Sequence, residues 1–250
     1  MKLSIILPCY NEEASIETVL KRIPRAGAEI IVVDNNSTDK TADITRQNGA
    51  KVVKKKKQGY GAAIRRGFDA AKGEIVIVLD GDGQYPPEKI NDAVSHLEQN
   101  NLDFISCIRF PLSNKKAIPL SRRFGNWLLT FTANVLFGAG LKDSQSGMWV
   151  FRREVLSKLR LKSFDMPLSE EIKLRAITHP QIAFAEYYIP YEIRIGESKL
   201  LPIKHGLKNL LFLFVLRLEL LRRHKTERRK LGFFVGVLLA LSLYAGLTVW

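Results

Sequence analysis

The 250-residue chain has only two cysteines, Cys9 and Cys107, and neither has the close Cys or His spacing of a metal site. Both lie in apolar, strand-like runs, so they read as buried, reduced thiols, and no disulfide framework is indicated. A leader peptide with a cleavage site is also not expected from the opening residues. Met1-Lys2-Leu3-Ser4 enters a strand pattern at once, which argues against export of this domain. The Gly-x-Gly-x-x-Gly that cradles a dinucleotide pyrophosphate is absent from the first turn, and a dehydrogenase reading starts badly without it. Internal repeats and low-complexity tracts are absent too, and the composition is that of a globular chain long enough for one sizeable core.

Positive charge is abundant but uneven. The formal net charge is +14, yet residues 1–100 hold 15 Lys/Arg against 14 Asp/Glu, a net of +1, while residues 101–250 hold 24 against 11, a net of +13. A nucleic-acid binder needs a basic face on its folded domain, so DNA binding is the weaker explanation. The excess lies in the half that leads to a hydrophobic C-terminus, where basic groups would meet anionic lipid headgroups or a phosphorylated lipid. From Leu231 to Trp250 the chain runs without a charge. As a helix, twenty residues rising about 1.5 Å each would span a bilayer of roughly 30 Å. The basic cluster Arg222 to Lys230 precedes it, and the positive-inside rule predicts that the part of the chain before it faces the cytoplasm. Between them, Pro202–Arg223 carries Leu207, Leu210, Leu211, Phe214, Leu218 and Leu221 at helical spacing beside Lys204, Lys208, Arg217 and Arg222. This pattern reads as an interfacial helix lying on the bilayer, with a buried helix of the globular domain as the alternative.

The first hundred residues alternate strand and helix. Strands are expected at 2–7, closed by Pro8, and at 29–34, 51–55 and 74–79, with another at 103–108. Helices are expected from Asn11-Glu12-Glu13 to about 22, from a Ser37 or Thr38 cap to about 48, over 61–71, and from Pro86-Pro87-Glu88 to about 100. Such alternation implies an α/β fold, a mainly parallel sheet with helices on both faces. Beyond 110 come a basic loop over 113–123, an apolar helix-like stretch over 127–137, and short elements at 150–156 and 170–177.

Open sheets of this kind bind ligands beyond the carboxyl ends of their strands. Three acidic turns fall there: Pro8 to Glu12, Asp34 to Asp39, and Asp80-Gly81-Asp82-Gly83-Gln84. In the last, two carboxylates and an amide oxygen are clustered, with glycines that let the backbone turn sharply. Carboxylates massed at a buried strand end repel one another, and a hard cation such as Mg²⁺ or Mn²⁺ relieves that repulsion. Capping of the following helix is the alternative for an isolated Asp-x-Asp. Asp34 could accept hydrogen bonds from a ribose or base edge, or serve as a cap neighbour. The run Lys54–Lys57 reads as a solvated charge cluster.

Together, Ile6-Leu7-Pro8-Cys9-Tyr10-Asn11-Glu12, Val32-Val33-Asp34-Asn35-Asn36-Ser37-Thr38-Asp39, Gly59-Tyr60-Gly61-Ala62-Ala63 and Asp80-Gly81-Asp82-Gly83-Gln84 resemble the ordered motifs of family 2 glycosyltransferases with a GT-A, Rossmann-like fold. Asp143-Ser144-Gln145-Ser146-Gly147-Met148 and Arg194-x-x-x-Ser198-Lys199-Leu200 point within it to the branch of dolichyl-phosphate mannose synthase and polyprenyl-phosphate hexosyltransferases. The chain departs from that branch in Asn35, where many members have a second aspartate, and in Trp149, where many have arginine.

The chain is thus expected to divide into a catalytic domain over 1–200, to which the resemblance extends, then an interfacial helix and basic segment over 201–230 and a membrane span over 231–250, both read from hydropathy and charge. The resemblance implies that Pro8, Tyr10, Glu12 and Asp34 surround the nucleotide, and that Asp80, Asp82 and Gln84 bind the metal and the donor diphosphate. Arg122, Arg123, Arg194, Ser198 and Lys199 resemble positions that handle phosphates, and Asp82, Arg122 and Arg123 are the implied catalytic set. The expected reaction is inverting, metal-dependent transfer of a hexose from a nucleotide-sugar to a polyprenyl or dolichyl phosphate. A lipid phosphate is largely ionised at neutral pH, so no strong base is needed. Glu170 and Glu171 then read as first-turn acids of a helix. Transfer to a sugar hydroxyl is the rival, and one of these two would be its base.

Overall fold

The computed structural model describes residues 2–223. Its centre is a seven-stranded sheet of β1 (Leu3–Cys9), β2 (Ala28–Asp34), β3 (Lys51–Lys54), β4 (Ile75–Val78), β5 (Phe104–Ile108), β6 (Trp149–Arg152) and β7 (Phe184–Tyr188), in the order β3-β2-β1-β4-β6-β5-β7. Every residue of β1, β4 and β5 is buried, as expected of strands covered on both faces. Alternate residues divide between two cores. Leu3, Ile5 and Leu7 join Val32 and Ile77 beneath α1 (Ile16–Arg22) and α4 (Ile90–Gln99). Ile6, Val33 and Val76 join Ile64 of α3 (Tyr60–Ala70) and Ile172 of α7 (Leu168–Ile177) on the other face.

A third cluster joins Leu129, Ala133 and Leu136 of α5 (Leu120–Phe137) to Leu174 of α7 and to Leu213 and Leu216 of α8 (Pro202–Arg223). α8 is therefore one helix of 22 residues with a face packed on the domain. It is not a fully buried helix, the alternative considered for this segment. Its other face, Ile203, Leu207, Leu211 and Val215, remains exposed.

The sheet is mixed rather than simply parallel. β6 runs antiparallel to both β4 and β5, whereas β1 to β4 pair parallel and β7 pairs parallel to β5. This reversal positions the site, because the chain entering β6 arrives at the same edge from which β1, β2, β4 and β5 depart. Other boundaries differ for local reasons. Pro8 stays inside β1, because Ile6 is the last residue paired with β4. The side where its missing N–H would point has no strand partner. Residues 10–15 form a loop, and α1 starts only at Ile16. α2 (Thr41–Gln47) is capped by Asp39, whose carboxylate accepts the Thr41 N–H at 2.9 Å. Ser37 and Thr38 instead bond Asn11 across the gap. Pro87–Lys89 is a 3₁₀ turn before α4. Arg122 and Arg123 lie in the first turn of α5, which begins well before Trp127. A short helix, α6 (Val155–Leu159), follows β6.

No helix among the described residues is long and apolar enough to cross a membrane. The expected span over 231–250 and most of the basic cluster before it lie outside those residues.

Candidate active site

The strand ends open into a cavity of about 270 Å³. One wall is acidic. Pro8 lines it from the end of β1, Tyr10 and Glu12 from the loop that follows and Asn35 from the β2 turn, with Asp80, Asp82 and Gln84 beyond β4. Gly83 has φ +79°, the left-handed conformation that lets this turn reverse without a side-chain clash. The basic residues Arg109, Arg122, Arg194 and Lys199 line the same cavity, with Ser198 among them.

Contacts within the cavity fix most of these groups. Asp80 accepts from the Tyr60 hydroxyl at 3.1 Å. Desolvation, and then the neighbouring Asp82 charge, push its carboxyl up to about 7. Asp82 accepts the Gln84 N–H at 3.0 Å and a 2.5 Å ion pair from Arg194, whose other arm reaches Glu12, also at 2.5 Å. Burial also raises Glu12 and Asp82, and the cations Arg194 and Lys199 oppose the shift. Lys199 donates to the Asn11 carbonyl and sits 3.4 Å from Glu12. Arg122 donates to Ser198 at 3.2 Å, which links α5 to the 194–199 segment.

Two expected site residues, Asp34 and Arg123, lie off the cavity lining, and a third, Gln84, lines it with its amide nitrogen engaged. Asp34 ends β2, but its carboxylate accepts the Ser37 N–H within its own turn, and Asn35 lines the cavity in its place. The Gln84 side chain reaches the cavity, yet its amide nitrogen is tied to the carbonyls of Ala117 and Glu192, so it braces the turn against two loops. Arg123 turns back on the loop before α5, donating to the carbonyls of Ile118, at 2.8 Å, and Lys115. It does not line the cavity. Lys54–Lys57 also lie outside the lining.

Sequence reasoning missed Tyr60 and Arg109, and left the loop 143–147 without a role. Arg109 follows β5 and donates to both oxygens of the buried Asp143 at 2.8 Å. The same loop brings Gln145 and Gly147 to the cavity. A Cβ on Gly147 would sit 3.1 Å from Asp80 Oδ2 and 3.1 Å from the Tyr60 hydroxyl, so glycine keeps this approach open. The spacing of Asp143 to Met148 was the available signal, but nothing in it indicated that β6 reverses direction. Glu171 is engaged by Arg175 at 2.8 Å and by the backbone N–H groups of Lys162 and Ser163. Glu170 is fully buried and accepts from Gln145.

The description Glycosyl transferase family 2 matches residues 4–160. The dolichyl-phosphate hexose transferase of Haloferax volcanii is 33% identical over 207 residues, 82% of this chain and 89% of that protein. The dolichol-phosphate mannosyltransferase of Pyrococcus furiosus is 28% identical over 212 residues, 80% of this chain and 59% of that protein. Among solved structures, glucosyl-3-phosphoglycerate synthase of Mycobacterium tuberculosis, in complex with Mn²⁺, UDP and its product, superposes with a TM-score of 0.66 at 24% identity, covering 86% of this chain and 79% of that one. That likeness shows a shared fold.

Proposed function

This chain belongs to glycosyl transferase family 2, and on that premise we propose that it transfers a hexose from a nucleotide-sugar, of the GDP-mannose or UDP-glucose type, to a polyprenyl or dolichyl phosphate. The observation that carries the reading is one cavity lined both by the carboxylates Asp80 and Asp82 and by the cations Arg109, Arg122, Arg194 and Lys199. Two phosphate-bearing substrates need both. The donor diphosphate must be neutralised as it leaves, and the acceptor phosphate must be held as the nucleophile.

Asp80 and Asp82 suit a hard divalent cation, because two crowded carboxylates with raised affinity for protons are relieved by a metal. When bound, Mg²⁺ or Mn²⁺ would supply positive charge for the departing diphosphate. The residues of the chain supply the rest. Pro8, Tyr10, Glu12 and Asn35 shape the donor pocket, with Asp34 bracing its rim. Arg194 and Lys199, on the partly exposed 194–199 segment, would shift from Glu12 and Asp82 toward substrate phosphate. Arg109 and Arg122 would hold the lipid phosphate oxygen in line with the anomeric carbon. Arg123 supports Arg122 by fixing the start of α5.

The rival acceptor, a sugar hydroxyl, needs a base. Glu171 is engaged by Arg175 and two backbone donors, and Glu170 has no exposure, so neither carboxylate is presented for that task. For the membrane we infer a catalytic domain over 1–200, docking through α8 and the segment to 230, and a span over 231–250, with the domain on the cytoplasmic side. The support is an exposed apolar surface: among the described residues, ten of the fifteen exposed large hydrophobic ones lie on α5 and α8, whose first turns supply Arg122 and His205 to the cavity lining. The lipid acceptor would enter there.

Detergent-solubilised full-length protein, supplied with a panel of nucleotide-sugars and a polyprenyl phosphate, tests the reading. An acid-labile lipid-phosphate sugar should form, cease with EDTA, and fall by about a hundredfold or more in Asp82→Ala. Hexose appearing only on hydroxyl acceptors, or undiminished turnover without metal, would refute it.

A further inference from the structure

Among the described residues, three buried side-chain oxygens have no hydrogen-bonding partner: Ser106 Oγ, Glu170 Oε2 and Asn209 Oδ1. Ser106 lies within β5, but the other two flank a single residue. Gln145 Nε2 donates to Glu170 Oε1, and Gln145 Oε1 accepts from Asn209 Nδ2 at 3.2 Å. Glu170 belongs to α7, Gln145 to the loop entering β6, and Asn209 to α8. Glu170 and Asn209 are 0% and 5% exposed.

An ionised Glu170 would place a full charge in this wall with one amide donor and one bare oxygen, a costly arrangement. On the other side of Gln145, the Asn209 carbonyl oxygen also lacks a donor. A single proton resolves both deficits. We propose that Glu170 is held as the neutral acid and that its Oε2–H donates to Asn209 Oδ1, closing a three-residue hydrogen-bond ring with Gln145 that clasps α8 to the cavity floor. Each side chain then gives one hydrogen bond around the ring and receives one. Gln145 and Asn209 line the cavity and Glu170 does not, so Glu170 acts through them as a positioning residue.

The charged neighbours are compatible with a neutral acid. Lys173, one turn along α7, donates to the Ser146 carbonyl at 2.6 Å rather than to Glu170. Asp143 and Arg109 satisfy each other, as do Glu171 and Arg175, and Glu186 of β7 accepts from the Lys142 and Asp143 backbone. His205 lies on the first turn of α8. Burial pushes Glu170 up to about 8 against the opposing effects of Gln145 and Lys173, and burial draws Lys173 down to about 7. Above that range an ionised Oε2 would face Asn209 Oδ1 and open the ring.

The clasp makes no assumption about the acceptor, so its test needs no substrate. In detergent micelles, hydrogen exchange of the full-length protein reports α8 directly, after correction for intrinsic rates. Between about pH 6.5 and 9.5 wild-type protection over 202–223 should fall about tenfold, the equivalent of one net hydrogen bond. Glu170→Gln supplies both a donor and an acceptor without a titrating group, so its protection should stay high at both pH values. Asn209→Leu should be weakly protected at both. The melting temperature of Glu170→Gln relative to wild type should rise between the unfolded carboxylate range and about 8, because only the wild type binds a proton there on folding. Hexose transfer should survive in Glu170→Gln and lose an alkaline decline seen in wild type. Constant wild-type protection across pH, or loss of protection in Glu170→Gln at the lower pH, overturns the clasp. Abolished transfer in Glu170→Gln with α8 still protected also overturns it, since the carboxylate would then act on substrate.

Discussion

Arg109 and Asp143 form a buried ion pair beside the cavity, with side-chain exposures of 8% and 0%. Burial alone would raise the Asp143 carboxyl, but the Arg109 charge and its two hydrogen bonds hold it below the usual carboxylate range. The pair therefore stabilises the fold above the unfolded carboxylate pKa, and that contribution fades as pH falls through the depressed value. Removing one partner leaves a bare buried charge, which costs about 3–5 kcal/mol. Arg109→Met and Asp143→Asn should each show such a loss in urea unfolding, while Arg109→Met with Asp143→Leu should recover much of it without restoring transfer. Equal stability of all three variants would contradict the assignment. At this scale the sequence revealed which turns carry chemistry, because carboxylates at the end of an apolar strand have few other reasons to cluster. It did not reveal side-chain direction. Gln84 and Arg123 sit at the expected positions, yet backbone carbonyls that only the fold brings near take their N–H groups.

Helices and strands show a similar division. β1, β2, β4 and β5 were legible because burial on both faces leaves continuous apolar runs. β7 was not, because it is only partly buried and reads FAEYY, with Glu186 in its middle. The antiparallel sense of β6 has no local signature at all. α8 was legible as a helix but ambiguous in role, since it is apolar on two faces. Leu213 and Leu216 meet α5 and α7, whereas Leu207, Leu211 and Val215 face outward. α5 shares this character: Phe124, Trp127 and Phe131 stack in succession, centroids 5.8 and 5.6 Å apart, on its exposed side. The two faces predict different phenotypes. Leu213→Ala should destabilise the domain by about 2–5 kcal/mol, as core truncations do. Phe131→Ser should leave the melting temperature unchanged and weaken bilayer contact. Trp127 reports that contact: in a Trp250→Phe background, brominated lipid in nanodiscs should quench Trp127 and spare the buried Trp149. Emission insensitive to brominated lipid would remove α5 from the docking surface.

Across the whole molecule, charge and apolar surface are segregated in the same sense. The first hundred residues, which build β1 to β4 and the acidic wall, are nearly neutral, and the net of +13 belongs to residues 101–250, which build the basic wall and the apolar helices α5 and α8. Such a distribution favours an anionic surface approached from one side, each exposed Lys or Arg near a lipid headgroup contributing about 1 kcal/mol. Lys115, Lys116 and Lys204 are exposed around the starts of α5 and α8, next to the cavity mouth. They should concentrate a phosphorylated lipid at the site as well as hold the domain against the bilayer. Screening separates this effect from apolar docking, because the Debye length shrinks from about 10 Å at 0.1 M salt to about 3 Å at 1 M. With the full-length protein in nanodiscs, the apparent KM for polyprenyl phosphate should be lower in anionic than in zwitterionic lipid. Salt should raise it several-fold in the anionic discs and little in the neutral ones, with kcat unchanged. Charge reversal of Lys115 and Lys116 should abolish the lipid dependence while leaving Asp82-dependent nucleotide binding intact. A KM indifferent to both lipid charge and salt would mean that the basic half serves only the cavity, and that the bilayer is held by apolar contact alone.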